Sequence, residues 1–251
     1  MGLRRLYMTT FDKPLKHSYN CMICGEELIY RQDYKEVECV YCHGKFESNV
    51  TCKSGHYVCD DCHSVNALDL IEKYCKETAD TNPIDMATEL MKNPSVNMHG
   101  PEHHFLVPAV LITSYYNIKG DKRSKLKKLA VAKARAKDVP GGICGFQGNC
   151  GAAVGTGIFL SVVTEATPLT KESWGLANLM TGTSLIAIGS IGGPRCCKRN
   201  VFTAINEAAR FADKNLGVKM YDYENYMPVC TFKAKNKECI GLACPYFKSE
   251  K

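Results

Sequence analysis

The sequence lacks an uninterrupted apolar run of about 18 residues, the length that marks a membrane-crossing helix. Its least charged stretch, residues 141–193, is broken by Glu165, Lys171, Glu172 and many glycines, so no membrane span is expected. The opening Met-Gly-Leu-Arg-Arg-Leu-Tyr has no long apolar core of the secretory type, which points to a cytoplasmic protein. Internal repeats and low-complexity segments are also missing, which argues against a repeat architecture. What remains is a chain of 251 residues, 45% hydrophobic, with room for one sizeable domain and a small one.

Cysteine is abundant. Fifteen are present, an odd number, several at Cys-x-x-Cys spacing and without an export signal, so metal ligation explains them better than disulfides do. The densest group is Cys21 and Cys24, Cys39 and Cys42, Cys52 and His56, Cys59 and Cys62. Each doublet is spaced to let two side chains converge on one tetrahedral zinc, so two zinc ions are expected. Strand-like runs at Glu27 to Tyr30 and Glu36 to Val40 lie between the doublets, with turns at Gly25 and Gly44. A module this small buries too little apolar surface to fold alone, and metal would supply most of its stability. The last two doublets resemble the second half of a cross-braced RING-type or treble-clef finger, which implies that the first doublet pairs with the third and the second with the fourth. Sequential ribbons are the alternative. The module, residues 1–64, would serve as a structural cap or as an interaction platform.

The rest, residues 65–251, reads as mostly α-helical. Ala67 to Lys76 has apolar residues at helical spacing, with Cys75 as a core thiol, and Asn82-Pro83 punctuates before a second helix at Ile84 to Met91. Next come His99, Glu102, His103 and His104, placed by Gly100-Pro101 on a turn that opens a helix. Imidazole carries protons near neutral pH and ligates metals, so His103 is the first candidate general base or acid, with Glu102, His99 and His104 behind it. Asp121 to Lys137 holds eight cations and one acid among Leu126, Leu129, Ala130, Val131, Ala132, Ala134 and Ala136. That pattern predicts an amphipathic helix packed by its apolar side, and without interleaved aromatics it is a poor single-strand nucleic-acid surface.

Residues 141–200 carry two glycine- and cysteine-bearing turns around an apolar segment expected to be interior. Gly141, Gly142, Gly145, Gly148 and Gly151 flank Cys144, Asn149 and Cys150, and a small-residue helix follows. At such a helix N-terminus the Cys150 thiol should have a lowered pKa. The second turn reads Pro194-Arg195-Cys196-Cys197-Lys198-Arg199-Asn200, with Asn200 expected to cap a helix from Val201 to Lys214. Gly148 to Gly155, together with that second turn, resembles the α domain of iron-sulfur L-serine dehydratases and, more distantly, the cysteine desulfidases. The likeness covers about residues 141–215. The resemblance implies a [4Fe-4S] cluster with an open iron, a small amino-acid or thiol substrate, and substrate contacts from Gly148, Asn149, Gly151, Arg195, Arg199 and Asn200. One departure is plain: the family's further cluster cysteine before the Pro-Cys turn is absent from Ile186-Ala187-Ile188-Gly189-Ser190. The whole chain is also similar to a domain-of-unknown-function family with a Cys-rich head.

The tail adds Cys230, Cys239 and Cys244, which either complete the same cluster or, with Cys196 or Cys197, form another. Two functional classes follow. The first is an iron-sulfur lyase or sulfur-transfer enzyme that uses Cys144, Cys150, Cys196 and Cys197 with His103. The second is a zinc-dependent accessory protein recruiting a protein or RNA. The small-residue helix also permits a homodimer.

Overall fold

The computed structural model describes residues 21, 26–40, 43–93 and 95–249, and for 61–66 the backbone alone. The expectations for Cys24, Cys42 and the Cys62 side chain lie outside the described residues. The chain divides into two compact units, Met1–Cys62 and His63–Lys251.

In the first unit, β1 (Leu28–Glu38) pairs antiparallel with β2 (Lys45–Cys52). The register runs Leu28↔Cys52 to Tyr30↔Val50 and resumes at Lys35↔Ser48, so β1 carries an irregularity between Tyr30 and Lys35. The two short runs read from the sequence are therefore the ends of one strand. β1 is mostly exposed and cannot supply a core.

The second unit is helical: α1 (Asp60–Glu77, entering from the first unit), α2 (Pro83–Lys92), α3 (Glu102–Lys119), α4 (Lys122–Lys137), the single turn α5 (Ile143–Phe146), α6 (Gly151–Val163), α7 (Glu172–Ile191) and α8 (Cys197–Leu216). Local chemistry accounts for several boundaries. Asn82 caps α2, its Oδ1 accepting from Ile84 N–H at 3.0 Å, with Pro83 at the first helical position. Asp121 Oδ1 accepts from Ser124 N–H at 2.9 Å to start α4. Gly120 and Gly217 end α3 and α8 in the left-handed region.

α3 is the central element, with Phe105, Leu106, Leu111 and Ile112 inaccessible to solvent. Pro108 within it has no N–H to give the His104 carbonyl, four residues back. Gly155 of α6 lies against that spot: a Cβ there would sit 3.0 Å from His104 O and 2.8 Å from Pro108 Cδ. On the opposite side a Cβ at Gly157 would meet Thr181 Oγ1 of α7. The glycines of α6 thus let three helices approach closely, and the helix is buried as the sequence predicts. Cys75 is a core thiol, fully buried, with its pKa pushed up to about 12 by burial.

α4 packs through Lys125, Leu129, Ala132 and Ala136, whereas Leu126 and Val131 are exposed. Lys125 is buried because its Nζ donates to Thr78 O at 2.9 Å and Asn117 Oδ1 at 2.8 Å. Lys133 pairs with Asp69 and Glu72, and Lys128 with Glu165, so part of the basic helix is neutralised internally.

α7 departs from the expectation of an interior segment. Its buried residues are Met180, Ser184 and Ile188, while Leu179 and Ile186 are 59% and 73% exposed. It is also long and apolar enough, by length and composition alone, to cross a membrane, which the reading of 141–193 as a broken segment did not anticipate. The glycines and the charges at its start interrupt an apolar run only in a strict count of residues.

Candidate metal and thiol sites

In the first unit the fold gathers the ligands as doublets. The sulfur atoms of Cys21 and Cys52 and a ring nitrogen of His56 all lie within 4.8 Å of one another, with Cys21 Sγ 3.9 Å from His56 Nδ1. This joins the first doublet to the third. The second meets the fourth: Cys59 N–H donates to Cys39 Sγ at 3.4 Å, and Cys39 bridges Tyr57. The end of β2 delivers Cys52, and Gly55, at φ +84°, turns the chain so that His56 N–H reaches Cys52 Sγ at 3.2 Å. Such an arrangement can hold a thiophilic cation.

In the second unit three thiols come together. Cys144 lies in α5, Cys150 is the N-cap of α6, and Cys197 is the first residue of α8. They are near enough that charge on Cys144 and Cys150 raises the Cys197 pKa, and charge on Cys144 raises that of Cys150. Cys150 Sγ accepts from Asn200 Nδ2 at 3.4 Å, and the backbone of Ala152 and Ala153 at the start of α6 favours its thiolate electrostatically. The Gly100 backbone lies close enough to Cys197 to favour its thiolate. Burial nevertheless outweighs these effects, pushing Cys150 up and Cys197 up to about 12. The expectation of an acidified Cys150 fails for that reason: the helix N-terminus is present, but the sulfur is removed from water. Asn200 does not cap α8 either, since Cys196 does, and the Asn200 amide turns to Cys150 instead.

Beside the thiols lies the histidine turn. Gly100 joins the two: its backbone lies near Cys197 and its carbonyl accepts from His103 Nδ1 at 3.0 Å. With Nδ1 holding the proton, His103 Nε2 carries a lone pair, buried and without a hydrogen-bond partner among the described residues. Burial, and next the Lys198 charge, hold this imidazole neutral, its pKa well below the ordinary value. Glu102 is fully buried, its carboxyl folded over Gly100, and burial raises its pKa to about 7. Lys198 is 1% exposed, donates to Val96 O at 3.2 Å and feels the Glu102 charge; burial lowers it to about 8. A neutral base, a carboxyl and an amine near neutrality can hold or pass protons. From the sequence Lys198 counts as a source of positive charge in the second turn, not as a buried amine. The signal available was its place between two cysteines and an arginine, where a solvated lysine is the ordinary expectation.

The other predicted residues fall around this centre. His99 Nε2 lies 3.3 Å from Asn236 Oδ1, and burial lowers its pKa to about 4. His104 Nδ1 donates to Val139 O at 3.0 Å and its ring fills the space that Gly151 leaves open, which is a packing position. Gly148, at φ +65°, makes the turn before Asn149, whose N–H reaches Ile143 O at 3.2 Å. Arg195 acts electrostatically on His99 and Cys197. Arg199 spends its guanidinium on the carbonyls of Gly192 at 2.7 Å and Pro194 at 2.9 Å, so it shapes the turn.

The tail thiols form a further group. Charge on Cys230 and Cys244 raises the Cys196 pKa, and charge on Cys244 and Cys239 raises that of Cys230. A separate cleft of about 250 Å³, between α4, α6 and α7, is lined by Arg135, Ser161, Asn178 and Thr181 among others and contains none of these thiols.

No curated protein and no solved structure matches the chain, so the likeness to iron-sulfur dehydratases rests on its short motifs. The sequence family described as "Family of unknown function (DUF5714)" matches residues 71–247, which include every thiol from Cys75 to Cys244 and exclude the N-terminal doublets. With that match covering well over half of its length, the chain belongs to the DUF5714 family.

Proposed function

We propose that Cys144, Cys150 and Cys197 hold a [4Fe-4S] cluster with one iron open, and that the protein is a lyase or sulfur-transfer enzyme acting on a small amino acid or thiol. The observation that carries this reading is the meeting of three thiols with a neutral imidazole across Gly100. The donor set fits the group: three sulfurs, one of them receiving the Asn200 amide at 3.4 Å, leave one corner of a cubane without a protein ligand. Bound there, the cluster would supply Lewis acidity toward a hydroxyl or thiol. The chain's own residues would do the rest. His103 Nε2 would take a proton from the substrate, its tautomer fixed by Gly100 O, and Glu102 and Lys198 would keep the surroundings near net neutrality. The head unit would carry two zinc ions, one at Cys21, Cys52 and His56, the other around Cys39 and Cys59, as a structural cap.

The test is metal and acid-labile sulfide analysis on the full chain purified without oxygen, followed by turnover assays on small amino acids and thiols. Cys150→Ala should lose about four iron, whereas His103→Gln should keep the iron and lose turnover. Zinc without iron, and a metal content unmoved by Cys150→Ala, would defeat the enzyme reading and favour the accessory-protein one.

A further inference from the structure

We infer that Cys196, Cys230, Cys239 and Cys244 form a second metal site, distinct from the Cys144, Cys150 and Cys197 group, and that it holds a fully ligated iron-sulfur cluster. This does not depend on whether the first group binds metal.

Backbone geometry divides the adjacent cysteines. Cys196 is the N-cap of α8 with extended φ and ψ of −140° and 104°, whereas Cys197 is already helical, so their side chains leave the chain in different directions. Cys197 lies within electrostatic reach of Cys144 and Cys150, and Cys196 within reach of Cys230 and Cys244. That tail is held along the first turns of α8. Cys230 N–H donates to Tyr246 O at 2.7 Å, closing the segment into a loop. Tyr246 in turn meets Thr203 by its hydroxyl at 3.0 Å and packs its ring edge-on to Phe202. Cys230, Cys239 and Cys244 all lie on this closed loop, and Cys230 and Cys244 are near Cys196 at the start of α8.

The loop needs a fastening that its apolar content does not give. Between Met227 and Phe247 the buried residues are Pro228, Phe232, Asn236 and Tyr246, while Met227, Val229 and Leu242 are exposed. Regular structure there is limited to two short 3-10 turns, at Lys233–Lys235 and Gly241–Ala243. A segment of this length with so little apolar burial does not offset its own ordering entropy, and a bound metal group that ties three of its side chains to α8 would. The sulfurs are also prepared as anion acceptors: Cys196 Sγ takes Arg199 N–H at 3.5 Å, and Cys230 Sγ takes Phe232 N–H at 3.4 Å. N–H donors to sulfur are among the features that tune iron-sulfur sites.

Spacing favours a cluster over a single ion. One tetrahedral zinc, with Zn–S of about 2.3 Å, draws its sulfurs to roughly 3.8 Å from each other. Among the described residues the group that meets a 4.8 Å limit is the head-unit trio, and the tail thiols do not. A cubane carries its thiolates outward on separate irons and so accepts a wider frame. With four protein ligands it has no open iron, which leaves fastening and electron storage as its roles.

The experiment counts iron and sulfide in three variants of the full chain purified without oxygen: Cys239→Ala, Cys244→Ala and Cys150→Ala. Cys239 is exposed, so its replacement leaves the core unchanged, and far-UV circular dichroism checks this. Either tail variant should lose about four iron and four sulfide per chain, and Cys150→Ala should leave those four in place. The tail should also become susceptible to proteolysis between Met227 and Phe247 in both tail variants. Iron and sulfide unchanged in both tail variants would overturn the assignment, as would the loss of one zinc in place of iron.

Discussion

Gly155 and Gly182 are both helical glycines, yet alanine should act on them in opposite directions. At Gly155 the new methyl would stand 2.8 Å from Pro108 Cδ, 3.0 Å from His104 O and 3.1 Å from Val107 Cβ. None of these is the loose end of a side chain; all are fixed by the buried helix α3. Overpacking of this kind costs about 1–3 kcal/mol. The better helix propensity of alanine returns about 1 kcal/mol, so Gly155→Ala should lose about 1 kcal/mol net. At Gly182 nothing lies within 4 Å of the added carbon. There the propensity gain stands alone, about 0.5–1 kcal/mol. For a chain of this length the two variants should differ by about 4–8 °C in Tm. Thermal and urea unfolding followed by circular dichroism would measure both. Gly155→Ala as stable as the parent would refute the close α3–α6 approach, and a destabilising Gly182→Ala would refute the open face of α7.

Other perturbations test other parts. Cys52→Ser should remove metal from the head unit and expose it to proteolysis while leaving the helical unit's unfolding unchanged; zinc analysis and limited digestion read this. Lys125→Met should cost about 1–2 kcal/mol, because Asn117 Oδ1 loses its buried donor while Thr78 O keeps the Asn117 amide, and the urea midpoint is the measurement. His99 has a folded pKa of about 4 against an ordinary 6.5, lowered by burial and then by the Arg195 charge. The unfolded chain therefore takes up the proton first, and stability is lost as pH falls below 6.5. Between pH 7 and pH 5 the loss from His99 is about 1–2 kcal/mol, while Glu102, raised to about 7, works in the opposite sense over that range. His99→Gln should flatten the decline in urea midpoint on acidification, and equal slopes for the variant and the parent would show that His99 is not buried as described.

What the sequence reveals is what local chemistry decides. Asn82-Pro83 marks a helix start because its capping group is contiguous with the helix it begins, and Gly100-Pro101 marks the turn before α3, which starts without a side-chain cap. The buried small-residue helix α6 is legible from its glycines, and Cys75 from its apolar helix face. Harder to see is anything set by distant partners. The Cys150 thiol is raised and not lowered because of what packs over it, and no spacing rule reports that packing. Asn200 has a capping residue's chemistry but stands four residues inside the helix, since Cys196 takes the cap. α7 has the composition of an interior helix and yet shows Leu179 and Ile186 to solvent, because composition does not say which neighbours are present. Of the N-terminal Cys and His doublets, the resemblance to a cross-braced finger pairs the first with the third and the second with the fourth, and Cys21 does meet Cys52 as Cys39 meets Cys59.

The first turn of α8 explains why two thiol groups occur in one place. Consecutive residues on a helix point about 100° apart, so the four from Cys197 to Asn200 already go round the axis, and Cys196, the extended cap before them, points elsewhere again. All five have partners. Cys196 lies near Cys230 and Cys244, Cys197 near Cys144 and Cys150, Lys198 reaches Val96 O, Arg199 holds the Gly192 and Pro194 carbonyls, and Asn200 reaches Cys150. A helix start enclosed on all sides is costly unless its orphan N–H groups and its positive end are answered by negative charge. Two lysine and arginine side chains buried in the same turn increase that demand. Protonated thiols do not meet it, since burial keeps them neutral; thiolates bound to metal do. The same five residues that look like an unusual accumulation of buried polarity are thus balanced once each neighbouring cysteine group carries a cation-bound thiolate set. The balance gives a reason for the two groups to share one helix terminus.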